Sequence, residues 1–247
     1  MPMIGNKKPL YFDLETTGFS GFEDKLLSAV FMDDEGDKQT FVLWNHNKEK
    51  QFIMALMDYL RSYKLDDKVL VSYNGENWRG GFDIPFLRSK AIRYGLTWTL
   101  TGISHFDLLP LVKKRISTHH YIKEEPSKSN LYKKDLVALA DANGLEYTNK
   151  NDTFDKLVEL KNCDWLDYIK EECKEENGLQ NIYQLIFDPE LKEEYLDGGD
   201  IPEFYEAGEY EKIIYHNEND VVRLKDVAEI IIPTIPQFEI DKNINIL

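Results

Sequence analysis

Cysteine is nearly absent from this chain: Cys163 and Cys173 are the only two in 247 residues, ten positions apart among polar neighbours. That excludes a disulfide framework, and the spacing offers no paired-cysteine zinc site, so both are expected to be ordinary reduced thiols. Long apolar runs are missing too. No stretch approaches the roughly 20 residues of a membrane span, and the opening Met1-Pro2-Met3-Ile4-Gly5-Asn6-Lys7-Lys8 lacks the apolar segment of a signal peptide. The expectation is a cytoplasmic protein with no membrane partner. Asn151-Asp152-Thr153 has the pattern of a glycosylation acceptor but no secretory route to use it. There is no internal repeat and no low-complexity linker.

Positive charge is also scarce, 30 Lys and Arg against 45 Asp and Glu, for a formal net charge of -15. Taken whole, that argues against a nucleic-acid partner, because phosphate binding draws on Lys and Arg. The imbalance is regional, however. Between Asp155 and Glu211 there are 18 acids and 5 lysines, a balance of -13, which leaves -2 for everything else. From Lys113 to Lys134 the balance is +5, with Tyr121 and Tyr132 interspersed. That stretch could carry a phosphate backbone or be a solvated face, and both readings stand. The acidic stretch could dock a protein partner or serve solubility.

What is present is enough apolar residue, 42% of the chain with 13% aromatic, to fill one sizeable α/β core or two small ones. An apolar strand through Tyr11-Phe12 precedes two short apolar runs, Leu26 to Met32 and Gln39 to Trp44, which flank the turn Asp33-Asp34-Glu35-Gly36-Asp37 and read as a hairpin. Phe52, Leu56 and Leu60 recur at helical spacing, and a valine-rich strand, Lys68 to Tyr73, runs into Asn74-Gly75. From about Pro110 to Gly208 the pattern predicts helices at Leu131 to Asn143, Phe154 to Lys161, Trp165 to Glu176 and Leu179 to Phe187. Gly198-Gly199 and Pro202 break the chain before a long last helix, Glu209 to Ile232, ended by Pro233. The expectation is one α/β domain over 1–247: three antiparallel strands, then parallel strands, flanked by helices, with a helical insertion at about 110–208.

Asp13 and Glu15 lie two apart on the first strand, just before Thr16-Thr17-Gly18. Residues i and i+2 project from one face, so the carboxylates converge, and a divalent cation would relieve their repulsion. The glycine permits a tight turn and the threonines offer donors beside the site. Asp83 sits among apolar residues in Phe82-Asp83-Ile84-Pro85-Phe86-Leu87, where it needs a cation or donors, or else caps a helix; one residue can do both. Asp220 interrupts the apolar stripe of the last helix. A residue four earlier lies about 40° away around a helix and one five earlier about 140° away, so His216 shares the face of Asp220 and Tyr215 does not.

Together, Asp13-Leu14-Glu15-Thr16-Thr17-Gly18, Tyr73-Asn74-Gly75 with Phe82-Asp83-Ile84-Pro85-Phe86-Leu87, and His216-Asn217-Glu218-Asn219-Asp220-Val221 resemble the three exonuclease motifs of the DEDD superfamily, the DnaQ-like nucleases. The run from Gly199-Asp200-Ile201-Pro202 to Gly208-Glu209 also resembles the YprB-like branch. The resemblance implies an RNase H-like mixed sheet and a 3′ to 5′ exonuclease acting on single-stranded DNA or RNA. It implies two divalent cations, Mg2+ or Mn2+, held by Asp13, Glu15, Asp83 and Asp220, with His216 as general base. Thr16, Thr17 and Asn74 would steady the terminal nucleotide. The family shows either a histidine five before the last Asp or a tyrosine four before it; here Tyr215 and His216 exchange those places. Trp78 and Arg79, in a loop longer than usual, could stack on a base and contact phosphate or simply pack on the surface. Asp107 could be a secondary ligand or a helix cap. The alternative function is a catalytically inactive RNase H-like binding or adaptor module.

Overall fold

Strand β1, Lys8–Thr16, is buried along nearly its whole length. It is the axis of this fold, seen in a computed structural model that describes residues 3–62, 67–75, 81–97, 99–116, 119–124, 133–160, 170–175, 178–187 and 198–247. The chain divides into two units, Met1–Ser117 with Asn177–Leu247, and Thr118–Glu176.

In the first unit β1 pairs antiparallel with β2 (Leu26–Asp33), which pairs antiparallel with β3 (Lys38–Val42). On its other side β1 pairs parallel with β4 (Lys68–Ser72), and β4 with β5 (Ser104–Asp107). The short β8, Ile244–Ile246, closes the edge in the order β3-β2-β1-β4-β5-β8. This is the expected RNase H-like mixed sheet. Helices α1 (Glu49–Ser62), α2 (Asp83–Arg93) and α3 (Leu109–Arg115) connect the strands. Helices α6 (Leu179–Phe187), α7 (Ile201–Ala207), α8 (Tyr210–Ile231) and α9 (Gln237–Asn243) follow.

The period of two along β1 sorts its side chains between two cores. Leu10, Phe12 and Leu14 pack with Phe31 and Leu70 against Ile53, Leu56 and Leu60 of α1 and Ile84 and Leu87 of α2. Tyr11 goes to the opposite face, where Val30, Val69, Val71 and Phe106 meet α8 through Val221, Leu224, Val227 and Ile231. Burial of each of those four α8 side chains is worth about 1.5 to 3 kcal/mol, which fixes the helix on the face that Asp13 and Glu15 also share. Lys38 and Thr40 of β3 reinforce it, reaching Glu218 at 2.5 and 2.8 Å.

The second unit has a hairpin, β6 (His119–Glu124) with β7 (Lys170–Glu175), and two helices, α4 (Lys133–Ala142) and α5 (Lys150–Glu159). The helices pack through Leu136, Leu139 and Leu157. The sequence pattern predicts helix over Trp165 to Glu176, whereas Lys170–Glu175 is strand. Its charged residues have no strong β propensity; antiparallel pairing with β6 overrides it, in a register that sets Lys123 opposite Glu171 and Glu124 opposite Lys170, residues of opposite charge. The α6 helix, within the span expected as insertion, instead packs Ile182 into the sheet core of the first unit. Among the described residues no helix is long and apolar enough to cross a membrane.

Candidate metal centre

Asp13 and Glu15 face α8, and α8 answers with three polar side chains on the turn that crosses them. Asn217 is fully buried, and its amide Nδ2 donates to Asp13 Oδ2 at 3.1 Å. The same side chain hydrogen-bonds Glu15 and partly offsets the forces that raise its pKa. Beside it in the chain, His216 Nε2 lies 3.3 Å from Glu15 Oε1 and 3.5 Å from Asp220 Oδ2, the latter one turn along. Arg223, a further turn on, donates to Asp220 Oδ1 at 2.8 Å and so orients that carboxylate. Tyr215 points away, 64% exposed. His216 therefore reaches the acids, and its sequence neighbour does not.

Asp83 arrives from a different direction. It is buried as the first residue of α2, and Phe82 occupies the cap position, so Asp83 is a first-turn acid rather than the cap. Gly75 makes the approach possible: a Cβ there would lie 1.9 Å from Ser72 Oγ, and Ile84 N–H donates to the Gly75 carbonyl at 3.1 Å. Asn74 holds a left-handed backbone, φ 68°, and donates its N–H to Asp107 Oδ1 at 2.9 Å. Asp107 Oδ1 also accepts from Leu109 N–H at 3.1 Å, tying the end of β4 to the start of α3. Leu108 holds the cap position of α3, so Asp107 braces the helix start from the residue before it.

Desolvation and then the charges of Asp83, Glu15 and Asp220 hold Asp13 well above the ordinary carboxylate range. Burial, followed by Asp220 and Asp83, raises Glu15 in the same way. Burial and the nearby Asp107 push Asp83 up to about 8. Asp13 thus feels charges from β1, α2 and α8 together, and Glu15 those of α2 and α8. The carboxylate oxygens suit a hard divalent cation, and the polar atoms of Glu15, His216 and Asp220 lie within 4.8 Å of one another, which leaves the imidazole beside such a cation as a base. The buried Oδ1 of Asn217 has no hydrogen-bond partner beside them.

The threonines of the turn serve its geometry. Thr16 Oγ1 donates to the Gly18 carbonyl at 2.7 Å, and Thr17 Oγ1 accepts from Lys25 N–H at 2.9 Å. A Cβ on Gly18 would meet the Asp24 carboxylate at 2.5 Å, which is why the turn needs glycine there. Trp78 and Arg79 lie outside the described residues. Within the basic stretch, Lys114 and Arg115 are both paired with Glu239, so they fasten α3 to α9. Asn217 was not singled out from the sequence. Its signal was there: with Ile213 four before and Val221 four after, it occupies a core position of the α8 stripe with a polar side chain.

A model of the RNase_H superfamily matches residues 10–131, a span that holds Asp13, Glu15 and Asp83 and ends before α8. Among solved structures the chain is similar to the family B DNA polymerase from the hyperthermophilic archaeon Pyrobaculum calidifontis, with 14% identity, a TM-score of 0.52, and coverage of 96% of this chain and 25% of that one. It is also similar to exonuclease I in a product-bound structure, with 17% identity, a TM-score of 0.35, and coverage of 62% of this chain and 46% of that one. The chain thus spans a quarter of the polymerase and less than half of the exonuclease. No curated protein matches it.

Proposed function

We propose that this RNase H-like chain is a metal-dependent 3′ to 5′ exonuclease that hydrolyses phosphodiester bonds of a single-stranded nucleic acid. The observation that carries the reading is the convergence of Asp13, Glu15, Asp83 and Asp220, with the His216 ring against two of them. Buried acids such as Asp13 and Glu15 that carry the charges of Asp83 and Asp220 beside them are costly for a fold, and a site for cations explains why the chain keeps them together. The four would hold two divalent cations, Mg2+ or Mn2+, which when bound supply Lewis-acid stabilisation of developing charge and acidify a water.

The chain's own residues do the rest. His216 takes the proton of the attacking water, Nε2 being the ring atom that faces the acids. Asn217 keeps Asp13 and Glu15 in register, and Arg223 orients Asp220. Thr16, Thr17 and Asn74 shape the two loops beside the acids where the terminal nucleotide would sit. The test is digestion of a 5′-labelled single strand. Stepwise shortening with Mg2+ or Mn2+ that stops with a chelator and in Asp220→Ala supports the reading. No shortening of DNA or RNA with either metal would overturn it.

A further inference from the structure

An open depression of about 380 Å³ lies at the start of α8, lined by Trp44, Gly208, Glu209, Tyr210, Glu211 and Lys212. Trp44 meets Tyr210 edge to face, with ring centroids 5.3 Å apart, yet 58% of its surface stays exposed. We propose that this depression is a base-stacking subsite for the single strand, taking a base a few nucleotides upstream of the scissile bond. The proposal rests on the nuclease reading above.

Its position follows from the sheet. Glu15 pairs with Ser28 and Ser28 with Val42, so Trp44, two residues beyond, lies at the same end of the sheet as the acids. Two strand spacings are about 10 Å, and the six residues from Tyr210 to His216 span about 9 Å of helix. Both routes put the depression on the order of 10 Å from the acids. Tyr205, buried with Leu27, Ile201 and Ile213, contacts Tyr210 at 5.5 Å and anchors its ring, and Lys25 Nζ stands 5.9 Å from the Tyr205 centroid. The backbone of Lys25 bonds to Thr17, in the turn directly after Glu15.

Charge decides which part of a nucleotide enters. Glu209 and Glu211 line the depression, and Lys212 is spent on Glu209 at 2.7 Å and on the face of Phe204 at 4.8 Å. A phosphate is repelled there, whereas the uncharged face of a base fits against the indole.

The test compares octathymidylate with the p-nitrophenyl ester of thymidine 5′-monophosphate, which has no upstream nucleotide. Trp44→Ala should raise KM for the octamer about 10-fold, within the range that loss of one base stack produces, while the ester is turned over as by wild type; Trp44→Phe should restore most of the octamer affinity. An unchanged octamer KM, or an equal loss on both substrates, would overturn the subsite. If wild-type protein hydrolyses neither, the nuclease reading fails, and tryptophan fluorescence in chelator decides the subsite separately. Quenching by the octamer that is lost in Trp44→Ala supports it. No quenching, or quenching by tetra-arginine in place of the octamer, overturns it.

Discussion

His216 and Tyr215 are adjacent in the chain and separated in space by the 100° step of a helix, one against two carboxylates and the other 64% exposed. The account predicts that His216→Ala lowers kcat by about 10²- to 10⁴-fold, the usual worth of a general base, while Tyr215→Phe stays near wild type. Single-turnover rates at saturating Mn2+ check it, and the reverse ranking would show that the wrong group was chosen. Asn217 acts through its neighbours. Asn217→Leu keeps volume and burial but removes the donors to Asp13 and Glu15; apparent Mn2+ affinity should fall about 10- to 100-fold, as for other groups that orient metal ligands. Affinity equal to wild type would make Asn217 merely a packing residue. That His216 shares the face of Asp220 was legible from the spacing of four in a helix, as the shared face of Asp13 and Glu15 was from the spacing of two in a strand. Asn217 was harder to read, since a neutral amide in a polar motif shows its weight only once its burial is known.

At the scale of elements, the helices on the far face of the sheet hold the loop that follows the acids. Lys90 of α2 is fully buried and lies 2.7 Å from Glu49 of α1, while its ammonium also donates to the Asp24 carbonyl. Glu49 accepts from Leu26 N–H at 3.1 Å and from the Tyr94 hydroxyl. Burial alone would raise the Glu49 pKa, but these hydrogen bonds outweigh it and the carboxyl falls below its ordinary value. Burial pulls Lys90 downward, against its own charge. The two shifts oppose each other, and the short contact favours the charged pair. Lys90→Met, which strands Glu49, should cost about 3 to 5 kcal/mol in urea unfolding, and adding Glu49→Leu should recover most of it. Equal losses in the single and double variants would contradict this. Sequence pattern marked β1, β2 and β4 closely because they are apolar runs buried between two cores, and α1 and α8 because each has one apolar face. It misplaced Lys170–Glu175, where cross-strand pairing decides and no apolar period announces it.

For the whole molecule the acids set the pH response. Burial and the nearby Asp107 push Asp83 up to about 8 from an ordinary 3.8, and Asp13 and Glu15 are raised as well. Between about pH 4 and 8 the folded state therefore binds more protons than the unfolded chain, so metal-free stability falls as pH rises through that window. In chelator the Tm should drop from about pH 5 to 8, and Mn2+, which binds the folded site, should reduce or reverse the drop. A metal-free Tm that climbs over the same range would contradict the folded-state titration. The most direct measurement is a calorimetric Mn2+ titration at pH 8 of wild type, Asp13→Asn and Asp220→Asn. The account predicts two ions per chain for wild type and loss of at least one in each variant whose circular dichroism is unchanged. Absence of binding to wild type, or identical isotherms for all three, would contradict it.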